Sequence, residues 1–238
     1  MQYFDKESMI QVIAPGLVLM KGALNKEKQI WLSQYALKAG QDPQHGFWTT
    51  VATGEKVLNN DKGRGRIYDT INAFPDATLV QGLCEEMVSV ARERDNKMPQ
   101  MFPTHLLLLY YATPDGMYWH KDSDPNDGDN DHPIVSVTIG NSCEFGYKLV
   151  GKPESSILLE SGDVLIWGGP NRMLLHCVHK VNKDTCPEYL PIRDVRLNFT
   201  FRDAPNVIGN ENKYKVSVES HYDALLPEAI KKAVLSPK

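Results

Sequence analysis

His120 and Asp122 stand two residues apart in Tyr118-Trp119-His120-Lys121-Asp122, a spacing that can do chemistry. At a strand end, residues i and i+2 share one face, so an imidazole and a carboxylate can reach one metal ion. A third ligand has to come from elsewhere, and His176 or His179 can supply it. Two histidines and a carboxylate leave coordination positions open, the arrangement that suits a non-haem Fe(II) oxygenase. H-x-D alone is a weak signal. It gains weight from a second stretch, Arg196-Leu197-Asn198-Phe199-Thr200-Phe201-Arg202. On a strand, Leu197, Phe199 and Phe201 face apolar packing, while Arg196, Asn198, Thr200 and Arg202 line the opposite face. The two arginines lie roughly 20 Å apart along such a strand, and their long side chains can converge on one small diacid. A planar guanidinium fork binds carboxylate bidentately, so this face reads as a clamp for a ligand with a carboxylate at each end.

These groups need a scaffold, and the chain supplies two kinds of element. Asn25 caps a helix expected over Lys26 to Ala39, with Ile30, Trp31, Tyr35 and Ala36 on one face and Gly40 as the stop. A second helix opens at Asp76 after Pro75, with Leu79, Leu83, Met87 and Val90 at helical spacing. Residues 41–75 read as turns and short strands, and Lys62-Gly63-Arg64-Gly65-Arg66 as a basic, glycine-rich loop that touches phosphates or as a solvated hairpin. From Thr104 the character turns to strands: Leu106 to Tyr111, Ile134 to Ile139, Glu144 to Val150, Ser156 to Glu160 and Val164 to Trp167. Many short strands punctuated by turns predict a sandwich or jelly-roll with the helices buttressing one outer face. A less ordered tail past Pro205 ends in a short helix near Pro227 to Leu235.

The whole chain bounds the function. Its 238 residues, 42% hydrophobic, can bury one substantial core. A net charge of −4, from 26 basic and 30 acidic side chains, excludes polyanion binding driven by bulk charge but leaves room for a local basic surface. Cys84, Cys143, Cys177 and Cys186 form no CxxC pair, so neither a zinc ribbon nor a disulfide scaffold is indicated. An intracellular, reducing compartment fits, without distinguishing nucleus from cytoplasm. No secretory signal or apolar run of about 18–20 residues is read, so a soluble protein is expected, a monomer by default. A calcium loop starting at Asp122 fails on spacing: its sixth position is Asp127 where Gly is needed, and its twelfth is Pro133 where Glu is needed. For Arg196 and Arg202 the plainer reading is an edge-strand ion pair with Asp194 and Asp203.

Taken together, the motifs resemble the AlkB family of Fe(II)/2-oxoglutarate dioxygenases. The match runs from His120 and Asp122 through Pro133-Ile134-Val135-Ser136-Val137-Thr138-Ile139-Gly140. It continues with Ser161-Gly162-Asp163-Val164, Trp167-Gly168-Gly169, Arg172 and His176, and closes on Arg196-x-Asn198-x-Thr200-x-Arg202. Residues 104–203 carry it, with a looser extension to Ala14-Pro15-Gly16 and Gly46-Phe47-Trp48-Thr49-Thr50. The resemblance implies a double-stranded β-helix core and selects His176 as the third ligand, four residues after Arg172. His45, His105, His132, His179 and His221 keep a structural reading.

By the same resemblance, Arg196 with Tyr111 holds the distal carboxylate of 2-oxoglutarate, and Arg202 with Asn198 nearby holds the carboxylate beside the metal. Leu109 departs from the pattern, which often has Asn at that place. Trp48 and Tyr68 fall where the family folds a nucleotide-recognition lid, and Asp124 matches a substrate-contacting acid. The implied organisation is N-terminal helices and lid over 1–103, a dioxygenase core over 104–205 and a tail over 206–238, packed as one unit. The implied reaction uses Fe(II), 2-oxoglutarate and O₂ to demethylate N-methylated bases in DNA or RNA, releasing formaldehyde, succinate and CO₂. Single strands are the easier substrate, because a paired base must first be flipped out. Two other readings are an oxygenase acting on a protein or lipid side chain, and a jelly-roll binding module without turnover.

Overall fold

Seven strands assemble into one sheet and four into a second that faces it. The computed structural model describes residues 9–60, 62–122 and 131–204, so Asp124 and the tail past 205 lie outside the described residues. The strands are β1 (Met9–Ala14), β2 (Leu17–Lys21), β3 (Trp48–Thr50), β4 (Lys56–Leu58), β5 (Arg64–Thr70), β6 (His105–Tyr111) and β7 (Asp115–His120). They continue with β8 (Ile134–Gly140), β9 (Cys143–Lys148), β10 (Glu154–Leu159), β11 (Val164–Trp167), β12 (Leu175–Val181) and β13 (Arg196–Arg202). The large sheet runs β1-β2-β11-β8-β13-β6-β5, the small one β10-β9-β12-β7, and β3-β4 form a separate hairpin. Two opposed sheets of this kind make the jelly-roll that the strand pattern predicts.

The large sheet is buried on both faces, which is why β6 reads His-Leu-Leu-Leu-Leu-Tyr-Tyr with no polar alternation. Leu106 and Leu108 pack with Phe199, Phe201, Val135 and Val137 under the helices α1 (Lys26–Gly40) and α2 (Ala77–Arg94). Leu107, Leu109 and Tyr111 join Phe145, Tyr147 and Val178 between the sheets. Burying each of the Phe199 and Phe201 side chains stabilises by about 1.5–3 kcal/mol, and this fixes β13 so that its polar side chains point between the sheets.

Local signals explain the helix ends. Asn25 is extended and its side chain accepts from the Lys28 amide at 3.0 Å, as the capping pattern requires. The second helix starts one residue later than expected, because Asp76 sits in the left-handed region (φ 48°) and makes no side-chain cap bond. Gly16 turns β1 into β2 at φ +79°, and an added Cβ there would meet the Gly168 carbonyl oxygen at 2.2 Å.

Two readings of the N-terminal part need correction. β1, β2 and β5 are strands of the large sheet, so residues before 104 build the core sheet as well as helices and lid. The basic Lys62 to Arg66 run is not a loop: only Lys62 and Gly63 turn, with positive φ, and Arg64 begins a seven-residue strand. The sheet crosses position 103/104 without a break, since β5 pairs with β6 from Arg64↔Tyr111 to Thr70↔His105.

Candidate metal and carboxylate site

Register carries the site. β13 pairs with β6 on one side and β8 on the other, with Arg196 opposite Tyr111 and Arg202 opposite His105. Because β5 pairs with β6 in turn, four inward rows cross three strands: Arg64–Tyr111–Arg196, Arg66–Leu109–Asn198, Tyr68–Leu107–Thr200 and Thr70–His105–Arg202. The alternation that singled out the β13 arginines also puts Arg64, Arg66 and Tyr68 on one face of β5. That period-two signal was in the sequence and was hidden by the glycines around it.

The small sheet brings the other half. His120 and His176 are direct partners across β7 and β12, with ring centroids 4.2 Å apart. Val178 pairs with Met117 but His176 with His120, so Tyr118 and Trp119 together oppose Cys177. This bulge re-aims His120 toward the interior, as bulges near active sites do. Each imidazole is held by the carbonyl two residues before it: His120 Nδ1 donates to Tyr118 O at 2.7 Å, and His176 Nδ1 to Leu174 O at 2.9 Å. A carbonyl only accepts, so both Nδ1 atoms carry the proton and both Nε2 lone pairs are left for a ligand. Asp122 Oδ1 and Oδ2 lie 3.9 Å from His120 Nε2 and His176 Nε2 respectively. The three candidate ligand atoms fall within 4.8 Å of one another, a donor set and spread that fit one divalent transition metal.

Burial tunes the set. His176 is 5% exposed and packs on Phe145 and Trp167, with centroids at 5.4 and 5.0 Å. Desolvation pushes its pKa below the ordinary value against the opposing pull of Asp122, which favours the neutral, metal-binding ring. Arg172 fixes the last ligand from behind, donating from Nη1 to the Asp122 carbonyl at 2.5 Å. In the sequence Arg172 stands out only within the motif from Trp167 to His176, and no local pattern signals its contact with Asp122.

The carboxylate side is a pocket lined by Tyr111, Leu107, Leu109, Ser136, Asn198 and Thr200, with the three ligand residues at its other end. Arg196, 2% exposed, donates from Nη2 to Thr138 Oγ1 at 3.1 Å and lies 5.0 Å from the Tyr111 ring centroid. Its Nε and Nη1 find no hydrogen-bond acceptor in good geometry among the described residues, with the Tyr111 hydroxyl and the Cys143 thiol within reach of the guanidinium. A buried guanidinium left half-satisfied costs several kcal/mol, and a ligand carboxylate answers that deficit. Burial pushes the Tyr111 phenol up, opposed by Arg196, so the hydroxyl keeps its proton and can donate to the same anion.

Not every expected residue is where the sequence put it. Asn198 lines the pocket, but both amide hydrogens are used, on Ser136 Oγ at 2.8 Å and Val137 O at 3.0 Å. Its carbonyl accepts from Thr200 at 2.8 Å. Asn198 therefore braces the sheet floor in place of donating to a ligand. Tyr68 faces the site, with the Arg202 guanidinium 5.6 Å and the Arg66 guanidinium 5.3 Å from its ring centroid. Trp48 does not: it packs on Phe47 and Tyr110 at 5.9 and 5.5 Å, and Tyr110 points to the helix side of β6. His179 is outside the cluster, beside Glu154 at 3.2 Å.

Known proteins resemble this chain in sequence and fold. The 2OG-Fe(II) oxygenase superfamily model matches residues 16–202. The chain is 34% identical to the alpha-ketoglutarate-dependent dioxygenase AlkB of Salmonella typhimurium, over 85% of this chain and 96% of that one. It is 27% identical to the DNA N(6)-methyladenine demethylase ALKBH1D of Arabidopsis thaliana, over 81% of this chain and 50% of that one. It therefore spans about half the length of that plant relative. The solved structure of OsALKBH1 superposes with a TM-score of 0.66 at 24% identity, covering 82% of this chain and all of that one, which bears on the fold alone. With the superfamily model matching residues 16–202 and 34% identity across 96% of a bacterial AlkB, the chain belongs to the AlkB family of the 2OG-Fe(II) oxygenase superfamily.

Proposed function

We propose that the protein is an Fe(II)- and 2-oxoglutarate-dependent dioxygenase that removes N-methyl groups from nucleobases of DNA or RNA. One observation carries the reading: a half-satisfied, buried Arg196 and the His120–Asp122–His176 cluster stand at opposite ends of one pocket. His120, Asp122 and His176 would hold Fe(II). Arg196 and Tyr111 would grip the distal carboxylate of 2-oxoglutarate, and Arg202 the carboxylate nearer the metal. Iron and co-substrate together supply the oxidation of a substrate C–H bond, with succinate and CO₂ as products.

The chain's own residues bind, orient and keep the site dry. Trp167 and Phe145 wall the His176 ring, and Leu107 and Leu109 line the pocket with apolar surface. Tyr68, on the substrate side, offers a face to an extruded base. Hydroxylation of an N-methyl carbon gives a hemiaminal that collapses to formaldehyde and the free amine. Relatives bearing the names DNA N(6)-methyladenine demethylase and tRNA demethylase support a nucleic-acid substrate. The test is iron- and 2-oxoglutarate-dependent formaldehyde release from methylated oligonucleotides, run beside methylated peptides. Succinate formation with peptides and none with oligonucleotides would refute the substrate class.

A further inference from the structure

The bulge that turns His120 inward pushes two aromatic side chains outward, and the catalytic cluster uses neither. Tyr118 is 71% exposed, more than any other tyrosine, phenylalanine or tryptophan among the described residues. Lys62 Nζ lies 3.6 Å from its ring centroid and contacts its hydroxyl. Trp119 stands edge-on to His179 at 5.7 Å, with Lys148 Nζ 4.5 Å from its centroid. Between them is a cleft of ≈ 270 Å³, lined by Lys62, Tyr118, Trp119, Cys177 and His179 on the outer side of β7 and β12. Tyr118 is two residues from His120, about 7 Å along the strand.

Charge here is local and nearly balanced. Glu154 lies 3.5 Å from Lys148 Nζ and 3.2 Å from His179 Nε2, and Asp115 lines the cleft. Lys62 forms no ion pair among the described residues. Such a surface suits a ligand that meets aromatic faces, with Lys62, held on the Tyr118 ring and hydroxyl and without an acidic partner among the described residues, as the cation beside them. That is the chemistry of an unpaired nucleotide: a π-face for the ring and one ammonium for the phosphate. A peptide offers no flat face at regular intervals, and a duplex keeps its faces stacked.

We propose that the Tyr118–Trp119 cleft binds an unpaired nucleotide flanking the target base, so that a single strand crosses the β7 bulge as its target enters the pocket. The proposal rests on the nucleic-acid reading above. Recognition by stacking explains how a chain of net charge −4 can hold a polyanion.

The experiment is fluorescence anisotropy of the full chain with labelled, unmethylated ten-nucleotide single strands, DNA and RNA in separate arms. Tyr118→Ala and Trp119→Ala each weaken binding by about tenfold, as loss of a stacking partner does. Tyr118→Phe stays within about twofold of wild type, because it keeps the face. Lys62→Gln lowers the slope of log K against log salt by about 0.7, one phosphate contact. Tyr118 is exposed, so its variant carries the test if Trp119→Ala fails to fold. Unchanged affinity in Tyr118→Ala, or equal binding of a duplex or a peptide of the same length, would overturn the proposal. If these binding losses occur while methylated strands release no formaldehyde, the demethylation reading fails and the cleft stands. If formaldehyde is released and the variants bind normally, the cleft fails alone.

Discussion

Arg202 Nη2 donates to Asp122 Oδ1 at 2.5 Å, tying the carboxylate of the ligand cluster to a residue 80 positions away on the opposite sheet. The same guanidinium stands at the metal end of the arginine strand. In the proposed function it orients a metal ligand and would also receive a co-substrate carboxylate, whereas Arg196, at the far end, would only receive one. Charge-assisted hydrogen bonds contribute about 1.5–3 kcal/mol, and removing an outer partner of a metal ligand costs about 10–100-fold in affinity. Arg202→Met is expected to weaken both Fe(II) and 2-oxoglutarate binding by at least about tenfold. Arg196→Ala is expected to raise the 2-oxoglutarate requirement by at least about tenfold with Fe(II) affinity nearly intact. Titrations of metal and co-substrate on both variants read the difference, and equal metal affinity in the two would refute the coupling.

Leu109 occupies the middle of the arginine pocket, 5% exposed and opposite Asn198. Leu109→Asn buries a polar amide beside Asn198, whose own amide is already engaged, at a cost of about 1–3 kcal/mol without a partner. When 2-oxoglutarate is bound, the amide gains an acceptor within the pocket. The variant is expected to melt lower than wild type alone and to show a larger rise in Tm on adding 2-oxoglutarate with a redox-inert divalent metal. Thermal melts with and without the co-substrate check it; a ligand-induced rise no larger than wild type would count against a missing hydrogen bond at this place.

Strands with a clean period and local caps were legible in the sequence, and strands held by distant partners were not. β11 runs over Val164–Trp167 as its apolar run predicts, and α1 begins at the Asn25 cap. β13 alternates as read, because Phe199 and Phe201 leave only one way to face. β7 was obscured because Pro114-Asp115-Gly116 reads as a turn, yet Gly116 is in the strand, where an added Cβ would meet Val178 O at 1.7 Å. Gly65 in β5 is likewise small because Phe47 lies against it, 2.5 Å from where a Cβ would be. β12 carries two histidines and a lysine, and pairing on both sides makes it a strand. A lone sequence shows a glycine; only the fold shows the neighbour that requires it.

Lys28 lies on the buried side of α1, and desolvation lowers its pKa from 10.5 to about 8, against weaker attraction from Glu86 and Glu27. The folded-state value is below the unfolded one, so above pH 8 the unfolded chain binds more protons. Stability from this group therefore rises with pH between about 8 and 10.5, and the charge penalty is fully present below pH 8. With the ammonium partly solvated, the penalty is on the order of 1–2 kcal/mol. Lys28→Met is expected to stabilise the protein at pH 7 and to flatten this rise. Urea unfolding at pH 7 and pH 10 measures both; a variant that loses stability at pH 7 would show that Glu86 outweighs desolvation.

Tyr68 and Trp48 separate two tasks that the sequence assigned to both. Tyr68 packs tilted against His105, with centroids 5.5 Å apart, and sits between Arg66 and Arg202 on the metal side of the large sheet. Trp48 packs across the other face, on Phe47 and Tyr110. A base entering the pocket can meet Tyr68; it reaches Trp48 only if the β3–β4 hairpin leaves its place. Tyr68→Ala is expected to raise the KM for a methylated oligonucleotide by about tenfold, the value of one stacking contact. Trp48→Ala removes a half-buried ring and is expected to lower Tm, with oligonucleotide KM changed less than about threefold. Steady-state kinetics and thermal melts on the two variants settle the assignment: a large KM effect from Trp48→Ala with unchanged Tm would place the base under the hairpin and require that hairpin to swing over the sheet edge during binding.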